Sequence, residues 1–229
     1  MILLAADTSG KNGSIALARV SESAIGPHEA NLVEIVEVVS LEGGTFSARL
    51  VPQISALLEK HGLTRQDIGG FAVASGPGSF TGLRVGLAVI KALAEILGKP
   101  IAAVSLLEAV ARRGTAWGRV MAVLEAGRGE VYMGEYEVGG KTRMLSERLI
   151  AREEFFAEAA GARAVSPDAA LVAAAREAGL QVELVEHPRS DAVARLGWEK
   201  IHSGETIAPE DLEANYIRRS EAEIFARKG

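Results

Sequence analysis

Two successive parts of this chain carry the same order of hydrophobic patterns, and that repetition narrows the available folds more than any single motif does. The first part opens on an apolar run at 2–6 and a turn at Ser9-Gly10-Lys11-Asn12-Gly13. An alternating run at 14–18 and a β-branched run at 32–39 follow, and together these read as a three-stranded antiparallel meander. A helix is expected over 47–60, with Leu50, Ile54, Leu57 and Leu58 on one face. A strand at 71–74, a helix at 83–97, a strand at 101–104 and a helix from Ser105 complete the set. The second part repeats the order with strands at 120–124, 131–136 and 144–150 and a helix near 152–160. A strand at 162–165, an alanine-rich helix at 169–178, a strand at 181–185 and a helix at 192–202 close it.

A tandem β-β-β-α-β-α-β order is that of the actin-like (ASKHA, ribonuclease-H-type) architecture, a duplicated, two-lobed α/β fold. Residue identity between the two parts is faint, so this reading rests on element order. An unduplicated α/β sheet with an irregular second half is the alternative. The expected lobes are 1–105 and 106–229, joined between Lys99-Pro100 and Gly118. A length of 229 residues is enough to bury a sizeable core.

Composition removes several chemistries. There is no cysteine, so disulfides, thiol catalysis and thiolate metal sites are excluded. The net charge of -5 gives no bulk attraction to nucleic acid. Short basic pairs, Arg112-Arg113, Arg218-Arg219 and Arg227-Lys228, read as solvated surface. Residues 1–7 lack the basic start of a signal peptide, and no apolar run approaches the ~20 residues of a membrane span. The expectation is a cytoplasmic protein without membrane contact. His28, His61, His187 and His202 are scattered, with no paired spacing for a helical metal site. No Gly-x-Ser-x-Gly elbow is present, so no self-sufficient catalytic constellation is expected.

Two segments remain as candidate sites. Asp7-Thr8-Ser9 ends the first strand, where a cleft-facing carboxylate would hold Mg²⁺ and hydroxyls would meet phosphate; the competing reading is a capped hairpin turn. Glu125 occupies the matching place in the second part. The stretch Ser75-Gly76-Pro77-Gly78-Ser79-Phe80-Thr81-Gly82-Leu83-Arg84-Val85-Gly86 reads as strand end, tight loop and helix start. It lacks the Gly-Lys-Ser/Thr of a P-loop and the glycine spacing of a dinucleotide fingerprint. Gly82 and Gly86 stand one turn apart, so another helix could approach closely there, from within the domain or from a partner. Phe80 reads as a plug of the core.

Three landmarks carry a family resemblance. They are Ile2-Leu3-Leu4-Ala5-Ala6-Asp7-Thr8-Ser9 with Gly13-Ser14-Ile15-Ala16-Leu17, the glycine loop from Gly76 to Gly86, and Glu125-Ala126-Gly127-Arg128-Gly129-Glu130-Val131-Tyr132. Tyr216-Ile217-Arg218 joins the third. The chain resembles the bacterial tRNA threonylcarbamoyladenosine biosynthesis protein TsaB (YeaZ) family. That likeness implies a scaffold subunit, not an enzyme by itself, required in a threonylcarbamoyl transferase complex. It implies the catalytic paralogue TsaD as partner, the ATPase TsaE as a further member and a homodimer when alone. tRNA is implied only within the complex, where adenosine 37 is modified. No intrinsic cofactor is implied, with ATP and Mg²⁺ entering only within the complex. Helices of the first lobe are implied as the interface, which makes Gly82, Arg84, Val85, Gly86 and Val89 its candidate residues. Gly86→Leu is then expected to weaken association more than folding. The chain departs from the family at Glu125-Ala126-Gly127, where Asp-Ala-Arg is usual. The alternative function is a stand-alone actin-fold kinase or ATPase using Asp7, Thr8 and Ser9 for its nucleotide.

Overall fold

The structure, a computed structural model, describes residues 1–21, 33–42 and 44–217. His28, Leu32, Arg218, Arg219, Arg227 and Lys228 lie outside the described residues. In chain order the first elements are β1 (Ile2–Asp7), β2 (Asn12–Val20), β3 (Val33–Glu42), α1 (Phe46–Lys60), β4 (Ile68–Gly76), α2 (Phe80–Leu97) and β5 (Ile101–Ser105). Then come α3 (Leu106–Ala111), β6 (Gly118–Gly127), β7 (Glu130–Val138), β8 (Arg143–Ala151) and α4 (Arg152–Glu158). The last are β9 (Arg163–Ser166), α5 (Ala169–Glu177), β10 (Gln181–Leu184) and α6 (Ser190–His202). The elements form two compact units, one of Met1–Ser105 with Pro188–Ala214, the other of Leu106–His187 with the described residues from Asn215.

The duplication is written in the sheets. The first runs β3-β2-β1-β4-β5 and the second β8-β7-β6-β9-β10, which is the same order unit for unit. In both, the first three strands pair antiparallel and the remaining joins are parallel. This is the actin-like, ribonuclease-H-type arrangement.

Strands β1, β2, β4 and β5 are buried on both faces, and the two faces differ in side-chain size. Leu4, Ile15, Leu17, Phe71, Val73 and Ile101 join Leu50, Ile54, Leu83, Leu87 and Ile90 in one apolar cluster, so α1 and α2 cover that face. The alternate positions are mostly alanine, among them Ala5, Ala16, Ala18, Ala72 and Ala102, all fully buried. Successive strand residues point to opposite faces, so the alanines form a second, shallow face. Helix α6 lies on it. A Cβ added at Gly197 would sit 2.2 Å from Ala72 Cβ, so the helix approaches as closely as a bare backbone allows. This corrects the expected lobe 106–229, because residues Pro188–Ala214 return to the first unit.

The second unit buries Met121, Val123, Val131, Met133, Phe155, Leu171 and Val172 together. Its β6–β7 turn passes through Gly127, Arg128 and Gly129 with φ of 75°, 60° and 77°, left-handed values that favour glycine at two of the three places. Buried Tyr136 donates its hydroxyl to Glu147, which also accepts from the Asn215 amide.

Beside this, an ion network crosses the strands. Arg119 of β6 donates to Glu135 of β7, and Arg148 of β8 donates to Glu135 at 3.2 Å and to Glu158 of α4 at 2.7 Å. The Arg119 hydrogen bond holds the Glu135 carboxyl below its ordinary value, with Arg148 adding to it against the opposing effect of burial. A carboxyl depressed on folding stabilises the protein above its unfolded value and loses that contribution as pH falls through the folded value. Glu135→Gln is expected to lower stability by about 1–2 kcal/mol at neutral pH. It should also flatten the loss of melting temperature between neutral pH and about pH 3, below the ordinary glutamate value of 4.5. Melting curves across that range check it, and parallel curves for the two proteins would remove the network from acid stability.

Candidate functional site

The two candidate segments, far apart in sequence, form one contact inside the first unit. Strand β1 delivers Asp7, Thr8 and Ser9 to its end, where all three are buried. Asp7 Oδ1 accepts from the Ser9 N–H at 2.9 Å and the Ser9 hydroxyl at 2.6 Å, which closes a tight turn. The Thr8 hydroxyl donates to the Gly82 carbonyl at 2.7 Å, and the Ser79 N–H donates to the Ser9 carbonyl at 2.6 Å. Ser79 caps α2 by accepting from the Gly82 N–H at 3.3 Å.

Glycines make this contact sterically feasible. Gly82 and Gly86 stand one turn apart in α2 and Gly78 lies in the loop just before it, and a Cβ at any of them would strike the Thr8–Ser9 segment. It would lie 2.5 Å from the Ser9 carbonyl oxygen at Gly78, 2.0 Å from the Thr8 carbonyl oxygen at Gly82 and 2.3 Å from Thr8 Oγ1 at Gly86. These residues allow close approach, and of the loop glycines only Gly76 has a positive φ, at 122°.

The expected site residues divide accordingly. Gly82 and Gly86 pack against Thr8, so that small-residue face makes an intradomain contact, and Gly82 also lines the open cleft beside it. Arg84 and Thr81 are exposed on α2, with Val85 and Val89 half-buried. Phe80 is not a core plug. It is 40 % exposed, and the Arg84 guanidinium carbon lies 3.7 Å from its ring centroid. Ala48 and Val51 on α1, with Ala88, Ala92 and Ile96 on α2, make an exposed face of small and apolar side chains; Ile96 is 73 % exposed. Residues 47 and 81 also border an open cleft of about 600 Å³, lined by Lys11, Asn12, Phe46, Ser47, Thr81 and Val85. The sequence reading missed this cleft, whose only local sign is the polar turn at Lys11-Asn12.

Comparison with known proteins gives the family. The family model described as "TsaD: tRNA N6-adenosine threonylcarbamoyltransferase" matches residues 43–164, over half of the chain. The tRNA threonylcarbamoyladenosine biosynthesis protein TsaB of Bacillus subtilis is 37% identical over 138 residues, 60% of this chain and 56% of that protein. TsaB of Escherichia coli is 37% identical over 92 residues, 39% of this chain and 40% of that protein. The chain thus spans about half the length of the curated relatives it matches. The solved structure of YeaZ from Pseudomonas aeruginosa superposes with a TM-score of 0.70 at 26% identity, covering 94% of this chain and 99% of that one. The chain belongs to the TsaB/YeaZ family.

The residues offered for Mg²⁺ and nucleotide make bonds within the first unit. Asp7 Oδ1 and the hydroxyls of Thr8 and Ser9 are committed to the turn and to α2. In the second unit, Glu125 is held by Arg152 at 2.9 Å and by the Gly127 N–H at 3.2 Å. Among the described residues no three His, Cys, Asp or Glu side chains gather as a metal site. His61 sits 2.8 Å from Glu37, whose carboxyl is lowered first by the Lys60 hydrogen bond and then by that of His61.

This packing revises the Gly86→Leu expectation toward a folding defect. Gly86→Ala should cost about 1–3 kcal/mol by overpacking against the Thr8 hydroxyl. Thr8→Ala alone should cost about 1 kcal/mol, and it should relieve most of the Gly86→Ala penalty in the double variant. Gly82→Ala meets backbone, so Thr8→Ala should not rescue it. Denaturant melts of the three single variants and the two doubles with Thr8→Ala test this; additive effects of Thr8→Ala and Gly86→Ala would refute it.

Proposed function

We propose that this chain serves tRNA threonylcarbamoyladenosine biosynthesis as a scaffold subunit, binding the catalytic paralogue TsaD and performing no chemistry alone. The names of its TsaB relatives and the TsaD family model support the pathway. One observation carries the scaffold role. The polar groups of the Asp7-Thr8-Ser9 turn are spent on seating α2, and the outer side of α1 and α2 offers Ala48, Val51, Ala88, Ala92 and Ile96 to a partner. Exposed small and apolar side chains on adjacent helices let a second helix pair approach closely and gain from apolar burial. Within this reading Arg84, Val85 and Val89 flank the docking face, and Gly82 and Gly86 support it from behind.

The same face serves a homodimer when TsaD is absent. TsaE joins the pair, tRNA is bound only by the complex, and ATP and Mg²⁺ enter only there. The site of action is the cytoplasm; no helix of the described residues is long and apolar enough to cross a membrane.

Size-exclusion chromatography with light scattering, on the chain alone and with TsaD of the same organism, tests the reading. A one-to-one heterodimer replacing a homodimer is expected. Ala88→Glu, at an exposed helical position where folding is undisturbed, should weaken association about tenfold or more. No association in folded protein would refute the scaffold role, and Mg-ATP binding by the isolated chain would favour a stand-alone kinase or ATPase.

A further inference from the structure

The cleft beside α2 carries four exposed polar side chains, Lys11, Asn12, Ser47 and Thr81, that meet no partner in the first unit. It holds about 600 Å³ between the β1–β2 turn and the opening turns of α1 and α2, a volume within the range of specific recognition sites. The side chains of Lys11, Asn12, Ser47 and Thr81 make no hydrogen bond or ion pair with other described residues. One carboxylate, Glu42, lines the cleft, and it pairs with neither Lys11 nor any other described side chain. An ammonium, an amide and two hydroxyls therefore face a single acid. Phe46 and Val85 supply an apolar floor.

Glu42 leaves the lining formally neutral but does not pair with Lys11, so an occupant that pairs Lys11 brings acceptor oxygens and negative charge on a short apolar stem. A carboxylate fits, since a charge-assisted bond to an ammonium is about twice as strong as a neutral one. The dipoles of α1 and α2 add in the same sense. The position of the cleft decides the source of that carboxylate. Val85 belongs both to the cleft and to the flank of α2 that carries Ala88 and Val89, so a polypeptide laid along the proposed docking face passes over its mouth.

We infer that the cleft receives an aspartate or glutamate side chain of the protein partner that docks on α1 and α2, with Lys11 as its counter-ion. This rests on the docking reading and adds a polar determinant to it. Lys11 stays solvated in the free chain and loses water only when the partner covers it. Apolar burial sets the strength of the contact, and the ion pair sets its register and partner choice.

The test titrates TsaD of the same organism into wild type, Lys11→Glu, Lys11→Met and Arg65→Glu by calorimetry, at about 0.02 and 0.15 M salt. Arg65 is exposed on the 3-10 turn beyond the other end of α1, so its variant makes the same charge change away from the cleft. Lys11→Glu should raise Kd about tenfold and Lys11→Met several-fold, both with weaker salt dependence, while Arg65→Glu matches wild type. Unchanged Kd and salt slope in the Lys11 variants overturns the cleft assignment and leaves the docking reading standing. An equal loss in Arg65→Glu also overturns it, by showing general charge attraction. No complex with wild type overturns both.

Discussion

The close approach of α2 to the end of β1 is the constraint on which the first unit depends. Thr8 reaches the Gly82 carbonyl, Ser9 receives the Ser79 N–H, and Gly78 in the loop with Gly82 and Gly86 in the helix leave room for both. Had Gly82 a side chain, the helix would move away from the sheet. The apolar contacts of Leu83, Leu87 and Ile90 with β1 and β4 would then open. The same contact sets the azimuth of α2. With Gly82 and Gly86 turned inward, Arg84, Ala88 and Ala92 must turn outward, because residues four apart share a face. A packing requirement inside the unit thereby determines which side chains a partner can meet.

The second unit keeps the topology without this device. Its equivalent turn places Glu125 near the end of β6, where its N–H donates to the side chain of Asp168 at the start of α5 at 2.7 Å and its carboxylate pairs with Arg152. Helices α4 and α5 span 7 and 9 residues, against 15 and 18 for α1 and α2. Short helices over a smaller apolar cluster bury less surface, and polar links across the strands stand beside them: the Arg119–Glu135–Arg148–Glu158 network and the Tyr136–Glu147–Asn215 bridge. One fold, used twice, is held by backbone proximity in the first unit and more by side-chain charge in the second.

How much of this could be read in the sequence follows from the range of each interaction. Element order was legible because hydrophobic periodicity is local: the helix read over 83–97 is α2 at Phe80–Leu97, and the strand read at 120–124 lies in β6 at Gly118–Gly127. The lobe assignment of α6 was not, because it depends on alanines in strands far upstream together with Gly197. A trace of it was present in the alternation of large and small residues along β2 and β4, which predicts two covered faces instead of one. The direction of the Gly82–Gly86 face was equally hidden. Two glycines a turn apart declare that something approaches, and only the fold reveals that it is Thr8, 74 positions away. The cleft at Lys11 arises from three separate segments and had no spacing signal at all.

The Asp-Thr-Ser turn shows how such a fold can keep its shape while its polar groups change employment. A carboxylate and two hydroxyls at the end of the first strand have the chemistry to hold a metal and a phosphate. Here each makes a bond within the first unit: Asp7 with Ser9, Thr8 with Gly82. A ligand entering at these atoms would have to break bonds of about 1 kcal/mol each, in a buried place where the freed groups would then need satisfaction of their own. The helix that benefits is the one whose outer face is open. A turn that positions a helix rigidly reduces the ordering needed when a partner docks, and pre-organisation of this kind strengthens an interface without adding any contact to it. The physical argument for a scaffold therefore begins at the very residues that would have argued for an enzyme.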